Sequence, residues 1–216
     1  MKSKRKIATG PEATRQALHC AATELFAQRG FKGATAELIA RKAGVNKSMI
    51  NYHFRGKKGL YHAVLRGPVE ELVAEIERTG LARLEPEEGL GRFVELFTGV
   101  VEHHPRFPGL MLHELLAGGS VAIPEVLGCL RTVVGTVAGL IRKGIRLGRF
   151  RPVDPYLTHI GLMGGLLHFF ITAPLRGAVL AGFQDAPRDP TASKYAAHVQ
   201  EMLLRGLAAQ SPGRRK

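Results

Sequence analysis

Residues 35–58 read TAELIARKAGVNKSMINYHFRGKK, and their spacing predicts two short helices joined by a glycine turn. Thr35 is a natural N-cap, and Leu38, Ile39 and Ala43 share one face of the helix it would open. Gly44 follows the last apolar residue, where a left-handed C-cap is easy only for Gly or Asn. Val45 turns inward, and Asn46 can cap a second helix through Asn51 or Tyr52. Ala40 and Gly44, four apart and small, allow the two helices to cross closely. Two helices crossed over such a turn form a helix-turn-helix, whose second helix fits the DNA major groove.

The second helix has the chemistry for that use. Ile50 is its one strongly apolar inward residue, surrounded by Lys47, Ser48, Met49, Asn51, Tyr52 and His53. Lys, Ser and Asn can address base edges or phosphates, and Met can touch a thymine methyl. A solvated helix can carry the same polar surface. The Ala40–Gly44–Val45 turn, the Tyr52-His53-Phe54 cluster and the local charge favour the DNA-reading interpretation.

That charge is uneven. Of the chain's 216 residues, 1–66 hold 14 Lys/Arg against 3 Asp/Glu, whereas 67–216 hold 17 against 15. A cationic N-terminal third points to a polyanion, nucleic acid before a membrane surface. Lys57 and Lys58 stand at the open N–H groups of a following helix, a ready phosphate clamp.

Working outward, residues 1–10 read as a mobile basic arm, in which Lys2, Lys4, Arg5 and Lys6 could reach phosphates. Residues 11–58 form the DNA-binding domain. Its first helix starts at Pro11, aligns Leu18, Ala21, Ala22, Leu25 and Phe26 on a core face, and ends at Gly30. Residues 59–84 form a connecting helix, and Gly67-Pro68 predicts a kink or break in it. Residues 85–210 carry further helical blocks opened by Pro86, Pro108, Pro124, Asp154-Pro155 and Asp189-Pro190, with a long partly ordered loop over 174–190. Residues 211–216 are a basic tail. No strand pattern appears, so the fold expected is all-α: a small basic domain and a larger, nearly neutral one.

Residues 155–175 contain no Asp, Glu, Lys or Arg. Pro155, Pro174, His159, His168 and three glycines argue against a membrane span and for a buried helix. Cys20 and Cys129 lack metal or redox spacing and predict buried, reduced thiols in a cytosolic protein.

Leu18-x-x-Ala21-Ala22-x-x-Leu25-Phe26-x-x-x-Gly30-Phe31, Thr35, Ile39-Ala40, Ala43-Gly44-Val45, Tyr52-x-Phe54 and Lys57-x-x-Leu60 together resemble the tetracycline-repressor (TetR) family of bacterial regulators. The resemblance is specific over about residues 12–65. It implies a cytoplasmic homodimer on a palindromic operator, with a small-molecule effector bound in the C-terminal domain. By position, Lys47, Ser48, Met49, Asn51, Tyr52 and His53 would read DNA, while Thr35 and Lys57 would hold phosphates.

It also implies dimerisation through the last two helices, where Ile160, Gly161, Gly164, Gly165, His168, Val199, Met202 and Leu203 would lie. Phe97, Phe107, Met111, His113, Met163, His168 and Phe170 would line a cavity for a largely apolar effector.

Other functions fit less well. His113-Glu114-Leu115-Leu116-Ala117 begins like HExxH, but Ala117 stands where zinc needs its second His. His103, His104 and His113 form a weak alternative metal set, and there is no phosphate loop, GxSxG or dinucleotide fingerprint. No cofactor and no enzymatic activity are expected. An activator, or a nucleoid-type protein without ligand control, remains the alternative to a repressor.

Overall fold

The computed structural model describes residues 10–118, 124–185 and 188–209. The predicted arm, the basic tail and Gly119 lie outside these, apart from the arm's last residue, Gly10. Ten α-helices are described: α1 Pro11–Gly33, α2 Ala36–Ala43, α3 Ser48–Phe54, α4 Lys57–Arg78, α5 Pro86–His103, α6 Phe107–Leu116, α7 Pro124–Arg146, α8 Pro155–Ile171, α9 Ala173–Leu180 and α10 Ala192–Leu207. No strand occurs among the described residues; an isolated bridge joins Phe150 to Ala208.

The chain divides into two compact units, Met1–Val69 with His104–Leu127 and Glu70–His103 with Gly128–Lys216. In the first, α1 buries the stripe read from the sequence, Leu18, Ala21, Ala22, Leu25 and Phe26. Gly30 leaves helical geometry at φ 64°, ψ 179°, so the regular helix stops there before a last turn to Gly33. Both α2 and α6 pack on α1. The α6 partnership differs from the expected division at residue 85. Phe107, Leu110 and Glu114 are buried on α6, and Gly109 comes close to the Ala27 backbone of α1.

In the second unit α5 buries Leu90, Phe93, Val94, Phe97, Val100 and Val101 and packs against α10. Gln200 Nε2 donates to Gly91 O at 2.9 Å across that contact. Asp154 caps α8 as predicted, its carboxylate accepting from the Tyr156 and Leu157 N–H groups. Helix α8 then joins α10 through Tyr195, whose ring stacks on Phe169 at 4.0 Å and whose hydroxyl donates to Gly165 O at 2.9 Å.

Several expectations need correction. Helix α4 runs unbroken through Gly67-Pro68. The break expected there does not occur, although Pro68 has no N–H to give to the preceding turn. The segment 174–190, expected to be loop, is helical as far as Leu180. Helix α10 begins at Ala192, capped by Thr191 Oγ1 accepting from Lys194 N, while Asp189 pairs with Arg176.

Cys20 is exposed and Cys129 half-exposed. Cys20 lies two residues after Leu18, about 200° round the helix and so off the core face. The charge-free helix is not buried all round within one chain either: α8 shows Leu157 and Ile160 at 68 and 64 % exposure. It spans 17 residues and bends by 74° into α9. Only α7 is long and apolar enough, by composition alone, to cross a membrane as a single helix among the described residues. Its Val126, Val133, Val137, Leu140 and Ile141 are buried, but only 33 % of its apolar window is.

Candidate nucleic-acid interface

The two short helices meet as the turn residues dictate. Thr35 Oγ1 accepts from Leu38 N at 3.2 Å, closing the first turn of α2. Gly44 takes the left-handed conformation at φ 71°, and Val45 N reaches back to Ala40 O at 3.1 Å. Asn46 Oδ1 then accepts from the backbone N–H and the hydroxyl of Ser48, at 2.8 and 2.9 Å. These bonds form a turn just before α3, whose own N-cap residue, Lys47, makes no side-chain cap.

Helix α3 runs through Phe54, two residues beyond the predicted end, because Phe54 folds inward beside Ile50. Arg55 stops it in the left-handed region at φ 57°, the one non-glycine residue there among the described residues. Its N–H bonds Asn51 O, and Gly56 N bonds Ile50 O. Then α4 begins at once, and Gly59 makes that possible. A Cβ on Gly59 would lie 1.8 Å from Phe54 O, so only a bare backbone fits against the end of α3. Sequence reading passed over this residue; its place one position before the buried Leu60, in the first turn of a helix, was the available signal.

The outcome is a short helix held at both ends with a polar outer face. Lys47, Ser48, Asn51 and Tyr52 are exposed, and Met49 and His53 are half-exposed. Tyr52, 74 % exposed, stands edge-on to His53 at 4.8 Å. Lys47 forms an ion pair with Glu37, which holds the Glu37 carboxyl below its ordinary range. Lys42 pairs with Glu24 at 2.8 Å.

Thr35 is exposed with its hydroxyl already serving as cap. Lys57 is turned inward, donating to Phe31 O at 2.9 Å with its ammonium 4.2 Å from the Phe31 ring centre. Lys58 is exposed at the N-terminus of α4. Arg55, absent from the predicted set, is exposed between the two helices.

The other predicted groups are scattered between the units. Phe107, Met111 and His113 belong to the first, while Phe97, Met163, His168 and Phe170 belong to the second. Phe97 and Phe107 are buried core, and His168 is exposed. Of the residues expected at a dimer seam, Ile160, Gly161, Gly164, His168 and Met202 face solvent. Gly165 and Leu203 are half-exposed, and Val199 is buried. His103, one of the weak metal set, meets Glu71 at 3.0 Å through its Nδ1, and the second unit holds both.

Residues 20–64 match the family described as bacterial regulatory proteins, tetR family. The transcriptional regulator RutR of Escherichia coli K12 is 29 % identical over 181 residues, 83 % of this chain and 84 % of that protein. The transcriptional repressor NicS of Pseudomonas putida is 26 % identical over 201 residues, 91 % of this chain and 93 % of its own. The structure of the ketosteroid transcriptional regulator KstR2 of Mycobacterium tuberculosis shares the fold, with TM-score 0.68 and 21 % identity over 95 % of this chain and 100 % of that one. The chain is a helix-turn-helix transcriptional regulator with a DNA-binding domain of the tetR family.

Proposed function

We propose that this regulator is a repressor that binds a palindromic operator as a homodimer and is released by a small, largely apolar effector. The observation that carries the reading is the outer face of α3, where Lys47, Ser48, Asn51 and Tyr52 stand free of the core on a helix fixed at both ends. Those side chains suit base edges and phosphates in a major groove. Ion pairing of Lys47 with the exposed Glu37 is no obstacle, because exposed pairs are weak and a phosphate competes well for the ammonium.

Dimerisation is supported by the outward stripe of α8, Leu157, Ile160, Gly161, Gly164 and His168, with Met202 exposed on α10. Apolar side chains and bare glycine backbone on one helix face suit a twofold helix pair. Two copies would present α3 to half-sites whose centres lie about one helical turn (~34–36 Å) or a multiple apart. Near-complete release requires an effector that favours the non-binding conformation by about 5.5 kcal/mol. The NicS relative is named as a repressor, which favours that direction of control.

Fluorescence anisotropy against the duplex upstream of the protein's own gene tests the reading. A specific regulator exceeds its binding to random duplex by ~10³ or more and weakens steeply with salt. Equal affinity for both duplexes would instead identify a nucleoid-type binder.

A further inference from the structure

A cavity of about 300 Å³ opens in the first unit, lined by the end of α1, α4 and α6. Its walls include Phe31, Tyr61, His113 and Glu114, with Arg29 and Lys32 also on its lining. Glu114 is only 5 % exposed. The Tyr61 hydroxyl donates to its Oε1 at 2.5 Å, while its Oε2 is buried with no hydrogen-bond partner among the described residues. An unmet acceptor at such depth is costly, and more so if the carboxyl is ionised. The function proposed above makes no use of it.

The surrounding side chains restrict what could meet that oxygen. Burial, reinforced by Glu114, pushes the Tyr61 hydroxyl far above its ordinary range, so Tyr61 stays a donor and Oε2 remains the open acceptor. The Phe31 and Tyr61 rings, with centres 5.1 Å apart, give an aromatic wall. His113 packs on the bare backbone of Gly30, where a Cβ would come within 3.0 Å of its Nδ1. Arg29 and Lys32 are exposed, so water screens their charges, and they suit an acceptor at the guest's outer end.

We propose that this cavity binds a compact aromatic molecule carrying an amide or amidine group, with an N–H donated to Glu114 Oε2 and its ring against Phe31 and Tyr61. Of the residues expected to line an effector cavity, the lining here holds His113 alone. The cavity lies on the joint between α1 and α6, inside the unit that carries the reading helix.

Ligand-observed NMR titration of the full chain with benzamide, benzamidine and benzoate tests this. Saturable binding of benzamide or benzamidine is expected, with benzoate about tenfold weaker because its carboxylate can only repel Oε2. Glu114→Gln should erase that ranking, since its side chain can also donate. Phe31→Leu keeps the carboxylate and should weaken whichever probes bind by about fivefold through loss of ring contact. Absence of saturable binding by both benzamide and benzamidine overturns the proposal. So does an unchanged ranking in Glu114→Gln or, should that variant fail to fold, unchanged affinity in folded Phe31→Leu. The titration contains no DNA, so its failure and a failure of operator binding are separate results.

Discussion

Helices α3 and α8 both face solvent with side chains that a single chain leaves unused, but their chemistry is opposite. On α3 the outward groups are polar or amphipathic, and the apolar Ile50 and Phe54 are buried. On α8 Leu157 and Ile160 are outward, and Tyr156 beside them is half exposed at 52 %. Water satisfies the donors and acceptors of α3 until a groove replaces it. Apolar surface on α8 forgoes about 25 cal/mol for each Å² left wet. A polar helix can therefore wait for a transient partner, whereas an apolar one calls for a permanent cover. This contrast is why DNA is assigned to α3 and a second copy to α8.

The most damaging way to test the contrast is Ile160→Glu. If a second copy covers α8, the change buries an unpaired carboxylate from each protomer at a cost of about 3 kcal/mol or more. Sedimentation velocity should then show the dimer dissociating at concentrations at least ~100-fold higher than wild type. Operator affinity should fall with it. An unchanged dimer would remove α8 from the interface.

Gly59→Ala attacks the other region from inside. The new methyl would meet the Phe54 carbonyl, which is backbone and cannot swing aside. A cost of about 2–3 kcal/mol is expected, lowering Tm by roughly 5–10 °C. Differential scanning calorimetry checks the first, and loss of operator binding should accompany it. Lys47→Ala and Tyr52→Ala act more narrowly. Each should weaken operator binding by about 1–3 kcal/mol, roughly 5–150-fold, while Tm and dimerisation stay as in wild type. If both variants bind operator like wild type, α3 is not the reading helix.

What was legible in the sequence follows the same division. Thr35, Gly44 and Asn46 act within a few residues of themselves, and each makes the contact its chemistry predicts. The length of α3 was misjudged because Phe54 was grouped with the aromatic cluster instead of the core. The pairing of α6 with α1 was hidden because it links residues some 80 positions apart. Helix α9 was missed because Pro174, Gly177 and Gly182 read as loop residues; Pro174 sits harmlessly in its first turn. The cavity beside Glu114 is not legible in the sequence, because Tyr61 and Glu114 meet from positions 53 apart. Burial of α8 is expected from its composition, and its exposed stripe shows that a single chain does not complete that burial.

The smallest effect separates the two regions by pH. His159 on α8 is buried with no hydrogen-bond partner for Nδ1 among the described residues, and burial lowers its pKa. His19 on α1 is also lowered, chiefly by burial, but its ring nitrogen lies 3.5 Å from Ala63 O and that contact opposes the shift. Both are held neutral in the native state while the unfolded chain protonates near pH 6.5. Their stabilisation is therefore complete above that value. It declines as pH falls below 6.5 towards each lowered native pKa, because the unfolded state then binds more protons. Replacing His159 by Leu should flatten the loss of stability as pH falls below 6.5. The same change at His19 should flatten it as well, since burial also lowers that pKa. Urea melts at pH values below 6.5 measure both slopes, and a slope unchanged in either variant would show that burial does not hold that histidine neutral.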